Sequence, residues 1–365
     1  MLTRGANIVV LLFTGAFVTA VAVVDAEAQS SSVALAERIR ALKIERTTAA
    51  LTMQSAAAKS AKPKTVDCTQ GQSIQSVLDK ATGPVVIDVR GICQENVLIE
   101  GKTVTLRGLD PATDGIQGIP ASPPPSATLV IRFAEVTIEN LSISNGPANG
   151  VRVESSTVVL ENCDLLGNVG AGLVVRGPGF TLCRACDLAS NTGFAASATN
   201  GGMLSLHDST VTGPAGLRST LDGSYADIDC ATSNTLHACN LSVSGRALWA
   251  VGGGTAALYS AGTFDGRVQA FDRGHVFLLG ASQQSLTGVN SIELFSTLLA
   301  SADFDVPQQS KLLQTNLSHF SRAVLLDQTV LDANLTCFSA EDAWIDPGVV
   351  TGSNTITGCE HASAP

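Results

Sequence analysis

The sequence predicts an all-β solenoid, a chain wound into stacked coils whose strands pair from each coil to the next. Three observations carry that prediction. The first is a repeat: Val136-Thr137-Ile138-Glu139-Asn140 is followed 22 residues later by Val158-Val159-Leu160-Glu161-Asn162, and after 22 more by Phe180-Thr181-Leu182-Cys183-Arg184. A fixed period of this size is the signature of a repeat architecture. The second is the form of each unit, short alternating runs of three to five residues bounded by Gly, Asn or Asp. Such strands are too short to pair within one unit and must pair with the same run in the next. The third is composition: 45% hydrophobic residues with 4% aromatic, 15% charged and 34 Gly in 365 residues exclude charge-driven disorder, a coiled coil and a disulfide mini-scaffold.

From the N-terminus, Met1-Leu2-Thr3-Arg4, the apolar run Ile8 to Val24 and Ala26-Glu27-Ala28 read as the charged start, core and cleavage site of a secretory signal spanning residues 1–28. Residues 29–64 follow as a short amphipathic helix and linker, with Leu35, Ile39 and Leu42 at helical spacing among Arg38, Arg40, Lys43 and Arg46. Charge divides the chain here. Residues 30–64 hold 7 Lys/Arg against 2 Asp/Glu, or +5, and residues 65–365 hold 14 against 28, or −14. An acidic body is a poor partner for nucleic acid, where affinity comes from neutralising phosphates, and equally for polyanionic glycans unless a divalent cation bridges the like charges. No other stretch is apolar enough to span a membrane, so the mature chain is expected to be secreted, periplasmic or on the cell surface. Nine cysteines fit an oxidising compartment. The local pairings Cys68–Cys93, Cys230–Cys239 and Cys337–Cys359 each close a short loop, and Cys163, Cys183 and Cys186 remain.

The coils are expected over 65–335, with a disulfide-clipped segment at 336–365. Cys163-Asp164-Leu165-Leu166-Gly167-Asn168 recurs 23 residues on as Cys186-Asp187-Leu188-Ala189-Ser190-Asn191. Asn145, Asn168 and Asn191 are expected to stack as one amide column at a turn, since amides donate and accept along a ladder and Asn tolerates left-handed geometry. The Asn-Leu-Ser/Thr triplets at Asn140, Asn240, Asn316 and Asn334 are read in the same way, as rung chemistry.

On these repeats the chain resembles a right-handed parallel β-helix of the pectin-lyase-like superfold. Its opening segment is similar to that of these proteins, pectin methylesterases included: Thr65-Val66-Asp67-Cys68, a short helix over Ser73 to Ala81, and the Gly91 to Val97 stretch with Glu95-Asn96-Val97. In the helix Ile74, Val77, Leu78 and Ala81 share one face, which the resemblance implies lids the open end of the core. The family's catalytic motifs are absent. Gly274-His275 lacks the second glycine and the Asp pair of polygalacturonases, and Ala302-Asp303-Phe304-Asp305 lacks the frame of the methylesterases. The pectate-lyase W-x-D-H and R-x-P-x-x-R are missing too.

What remains are columns made by stacking, one residue per coil about 4.8 Å apart. Asp164 over Asp187 gives a carboxylate pair near the spacing of a retaining glycosidase, or turn-capping Asp. Arg152, Arg176, Arg218, Arg246 and Arg267 form a row suited to an anionic sugar, with Glu154 and Asp222 close enough to pair with it. If Ile138, Leu160, Leu182 and Leu206 point inward, the next residues Glu139, Glu161, Cys183 and His207, then Asp229 or His237, line up outward. Glu161, Cys183 and His207 are ligand types for Zn or Cu. Asp222, Asp227 and Asp229 around Tyr225 suggest Ca. Two functions stay open: an exported, non-catalytic surface for glycan, cell-wall or protein binding, and a polysaccharide lyase, hydrolase or epimerase, with metal handling a third.

Overall fold

A computed structural model describes residues 62–121, 125–220 and 224–229, the strands beyond them, and three helical, exposed residues, Glu45, Ala49 and Thr52. The expected signal sequence, the helix of Leu35, Ile39 and Leu42, and the pairings Cys230–Cys239 and Cys337–Cys359 lie outside the residues whose side chains are described. Every strand pairing is parallel, and the result is a β-solenoid of about seven turns. The first sheet takes one strand per turn, among them Val85–Arg90, Thr103–Gly108, Glu135–Glu139, Thr157–Glu161, Phe180–Arg184, Met203–His207 and Tyr225–Asp229. The second holds two ladders. One is short, running through Ser142–Ser144, Asp164–Leu166 and Asp187–Ala189. The other is long, running through Ala127–Arg132, Asn149–Glu154, Leu173–Arg176, Phe194–Thr199 and Ala215–Thr220.

From Phe133 to Gly213 the turns change direction at three corners, each of which uses a residue in the left-handed region. One corner column is Asn140, Asn162, Ala185 and Asp208, the next Asn145, Gly167, Ser190 and Gly213, the third Phe133, Ser155, Gly177 and Asn200, all with positive φ. Most are Asn, Asp or Gly, the residues that reach this region at least cost. Asn162 Nδ2 donates to Asn140 Oδ1 at 2.8 Å, so the first triplet is rung chemistry as expected. The buried amide ladder also forms: Asn168 Nδ2 donates to Asn191 Oδ1 at 2.9 Å, and Asn191 Nδ2 to the Leu165 carbonyl at 2.8 Å. Asn145 is not its third member. It sits one residue earlier, at the left-handed corner, and Gly146 occupies the rung, its N–H donating to Asn168 Oδ1 at 3.0 Å.

The core is a stack of inward aliphatics, including Leu106, Ile138, Leu160, Leu206 and Ile228, all fully buried. Between Leu160 and Leu206 the register partner is Cys183, not Leu182. The reason lies in the corner. Ser155 and Thr157 are separated by one residue, Gly177 and Phe180 by two, Pro178 and Gly179. One extra residue exchanges the faces of the strand that follows. Phe180 and Leu182 therefore leave the core and pack with Val159 and Met203 in a second apolar cluster on the outer face.

At the first turns a helix spans Ile74–Lys80, with Ile74 and Leu78 buried and Val77 and Ala81 against the core. Glu95 caps it, accepting from the N–H groups of Ile74 at 2.7 Å and Gln75 at 3.1 Å and from Ser73 Oγ at 2.8 Å. Carboxylates at a helix start satisfy donors that have no partner within the helix. Cys68–Cys93 is disulfide-bonded, as the spacing predicts.

Candidate functional site

The outer face of the long ladder carries the site. Register places Val130, Arg152, Val174, Ser197, Arg218 and Trp249 in one column. Beside it runs Arg132, Glu154, Arg176, Thr199 and Thr220. Alternation along each strand aims both columns away from the core, and members of both, Arg152, Val174, Ser197 and Arg218 from one and Arg176 from the other, line a cleft of about 380 Å³ together with Phe194. The three arginines expected to act together are thus brought together. Arg246 and Arg267 pair with each other in register on the next strands.

An aromatic platform adjoins the cleft, with Phe194 in its lining. Phe194 and Trp249 stack with centroids 5.2 Å apart, and the Arg218 guanidinium lies 4.7 Å from the Trp249 ring and 5.6 Å from that of Phe194. Guanidinium planes favour aromatic faces, and the contact fixes the orientation of a long side chain. Sequence reasoning missed this platform. Trp249 follows Arg218 by 31 residues instead of the 21 to 23 that separate the earlier members because an insertion separates the rungs, so the period does not align them.

Charge at the edge of the cleft is partly compensated, by residues adjoining its lining. Glu154 accepts from Arg132 Nε at 2.7 Å and pairs with Arg152 Nη2. Burial alone raises the Glu154 pKa, but the hydrogen bonds and charges of Arg152 and Arg132 outweigh it and hold the carboxyl below its ordinary value. Arg152 Nε is enclosed and makes no hydrogen bond.

Asp164 and Asp187 are rung partners on the short ladder, between Ser142 and Thr210. Burial pushes both carboxyls up, and the Asp187 charge adds to the rise at Asp164. Asp187 Oδ1 is enclosed without a hydrogen bond. The aromatic platform belongs to the other ladder.

The column Glu161, Cys183, His207 does not exist as one face. The shifted register puts Arg184 between Glu161 and His207, and Cys183 points inward, bonded to Cys186. A guanidinium between the two remaining ligands repels a cation, and a disulfide sulfur is no thiolate ligand. Cys163 is the free thiol among the described cysteines, fully buried and with its pKa pushed up to about 12 by burial. The Tyr225 hydroxyl donates to Asp227 Oδ2 at 3.1 Å, and Asp222 lies outside the described residues. Among the described residues Cys68, Cys93 and Glu95 cluster within ligand reach, but the cysteines are bonded and Glu95 caps the helix.

The family described as right handed beta helix region matches residues 126–260, the turns that build the cleft. No curated protein matches the chain. The family match and the stacked parallel turns lead to one conclusion: this chain is a right-handed β-helix repeat protein.

Proposed function

We propose that the protein is an exported, non-catalytic binding module of pectin-lyase-like architecture that holds an acidic glycan in the arginine cleft. The observation that carries this reading is the convergence of Arg152, Arg176 and Arg218 beside the Phe194–Trp249 stack. Guanidinium forks match carboxylates, and a concave site of apolar and aromatic walls with a few polar groups suits a sugar ring. Two disulfides support export, and among the described residues no helix is long and apolar enough to cross a membrane.

Calorimetric titration with a uronate oligosaccharide and its neutral counterpart tests the proposal. The wild type binds the acidic sugar alone, and Arg176→Gln weakens it about tenfold to a hundredfold, the worth of a hydrogen bond to a charged group. Equal binding of both sugars, or no effect of the substitution, overturns it. A polysaccharide hydrolase is the second reading, favoured by the raised carboxyl pair Asp164 and Asp187 on adjacent rungs. Incubation of the same samples decides between the two, since only the hydrolase releases new reducing ends.

A further inference from the structure

The arginines of the cleft are not equivalent, and Glu154 makes the difference. Register places it between Arg132 on the turn before and Arg176 on the turn after. Both of its carboxylate oxygens are engaged, Oε2 by Arg132 Nε at 2.7 Å and Oε1 by Arg152 Nη2. Arg176 forms no ion pair among the described residues. Arg218 is held on its aromatic platform.

We infer that Glu154 sets the charge selectivity of the cleft: by holding Arg132 and Arg152 it leaves Arg176 as the anion anchor, so the site takes a saccharide with sparse carboxylates in preference to a dense polyanion. The inference rests on the glycan-binding reading above. A densely sulfated chain brings an anionic group towards every rung, about 4.8 Å apart, and one of those rungs already presents a carboxylate. Like charges at that distance repel, and rejection of a wrong ligand is as much a part of specificity as attraction of the right one. A sparse ligand meets that conflict at one rung alone, where the Arg176 guanidinium offsets it. Its carboxylate sits on Arg176 and its ring lies against the Arg218 platform. The side chains of Arg152 and Glu154 are only 21% and 22% exposed, so solvent does not fully screen the effect.

Four proteins test it: wild type, Glu154→Gln, Glu154→Asp and Arg176→Gln, each first shown to melt at a comparable temperature. Binding is measured calorimetrically to a hyaluronate hexasaccharide, with one carboxylate per two sugars, and to a heparin hexasaccharide, with several anionic groups per two sugars, at low and high salt. The wild type prefers hyaluronate. Glu154→Gln gains about tenfold for heparin, with a steeper dependence on salt, because one repulsive charge is gone and two guanidinium groups are released. Glu154→Asp keeps the charge and the wild-type preference, and Arg176→Gln loses hyaluronate. If the wild type binds hyaluronate but Glu154→Gln leaves heparin binding unchanged or weaker, the inference falls and Glu154 is only a strut for its arginines. If the wild type binds neither sugar, the glycan-binding reading itself falls.

Discussion

The strands Thr157–Glu161 and Phe180–Arg184 are neighbours in the first sheet, yet they present their residues in opposite ways. In the first, Val158 and Leu160 enter the core and Val159 stays outside; in the second, Thr181 and Cys183 enter and Phe180 and Leu182 stay outside. The larger apolar residues of the second strand are therefore not in the main core. In a solenoid the rung before and the corner length set the phase, and the local apolar pattern yields to them. The weaker inward face of that strand shows in Thr181 Oγ1, buried without a hydrogen bond. The same strand carries a covalent clip, Cys183–Cys186, across the next corner.

The largest expected effect comes from the well-filled rung. Leu160 is fully buried between Ile138 and Cys183. Leu160→Asp places a charge with no partner in the aliphatic stack and costs at least about 3–5 kcal/mol. Loss of the folded β signal in circular dichroism at ambient temperature is the expected readout. A folded, cooperatively melting variant contradicts the assigned inward phase.

The clip of the second rung carries a smaller effect. Cys183 and Cys186 are three residues apart, so the loop they close is short. Restriction of the unfolded chain by so short a loop stabilises by about 2 kcal/mol. Cys183→Ala with Cys186→Ala is expected to lower stability by that order, measured by denaturant unfolding, and to leave the solenoid folded. Loss no greater than that of a surface substitution shows that the clip is not what supports the rung.

Much of this was legible in the sequence, for a physical reason. Stacking repeats the same environment every turn, so Val136, Val158 and their neighbours announce the coil, and the Cys163-Asp164 and Cys186-Asp187 pairs announce its register. Cys68–Cys93 followed from the short loop it closes, whereas of the expected arginine row Arg152 and Arg218 share a column and Arg176 falls in the next, because 24 residues separate it from Arg152 where the register spans 22. Cys183 was misplaced because Phe180 and Leu182 imitate an inward pair and the two-residue corner Pro178-Gly179 is silent in a hydrophobic pattern. Trp249 was missed because the insertion before it breaks the period. The division of labour between Arg152 and Arg176 depends on which oxygens Glu154 offers to whom, and no spacing encodes that.

The smallest effect sharpens the comparison where the two turns return to phase. Beyond the next corner Asp164 and Asp187 are direct rung partners again, so like charges stack on a partly buried face with Ser142 and Thr210 on the flanking rungs. Both folded pKa values are raised, by burial first and at Asp164 also by the Asp187 charge. A raised folded pKa means that the native state binds protons more tightly than the unfolded chain, so stability falls as pH increases across the shifted range. The contribution is complete below the unfolded carboxyl value of about 3.9 and is lost as pH rises through the raised folded value. Asp164→Asn removes one charge and one titration together. It is expected to melt higher than the wild type at neutral pH and to flatten the dependence between mildly acidic and neutral pH. Thermal melts of both proteins over that range measure it. Parallel curves for the two would show that neither burial nor the Asp187 charge shifts the Asp164 titration in the folded protein, and that this rung carries no stored charge conflict.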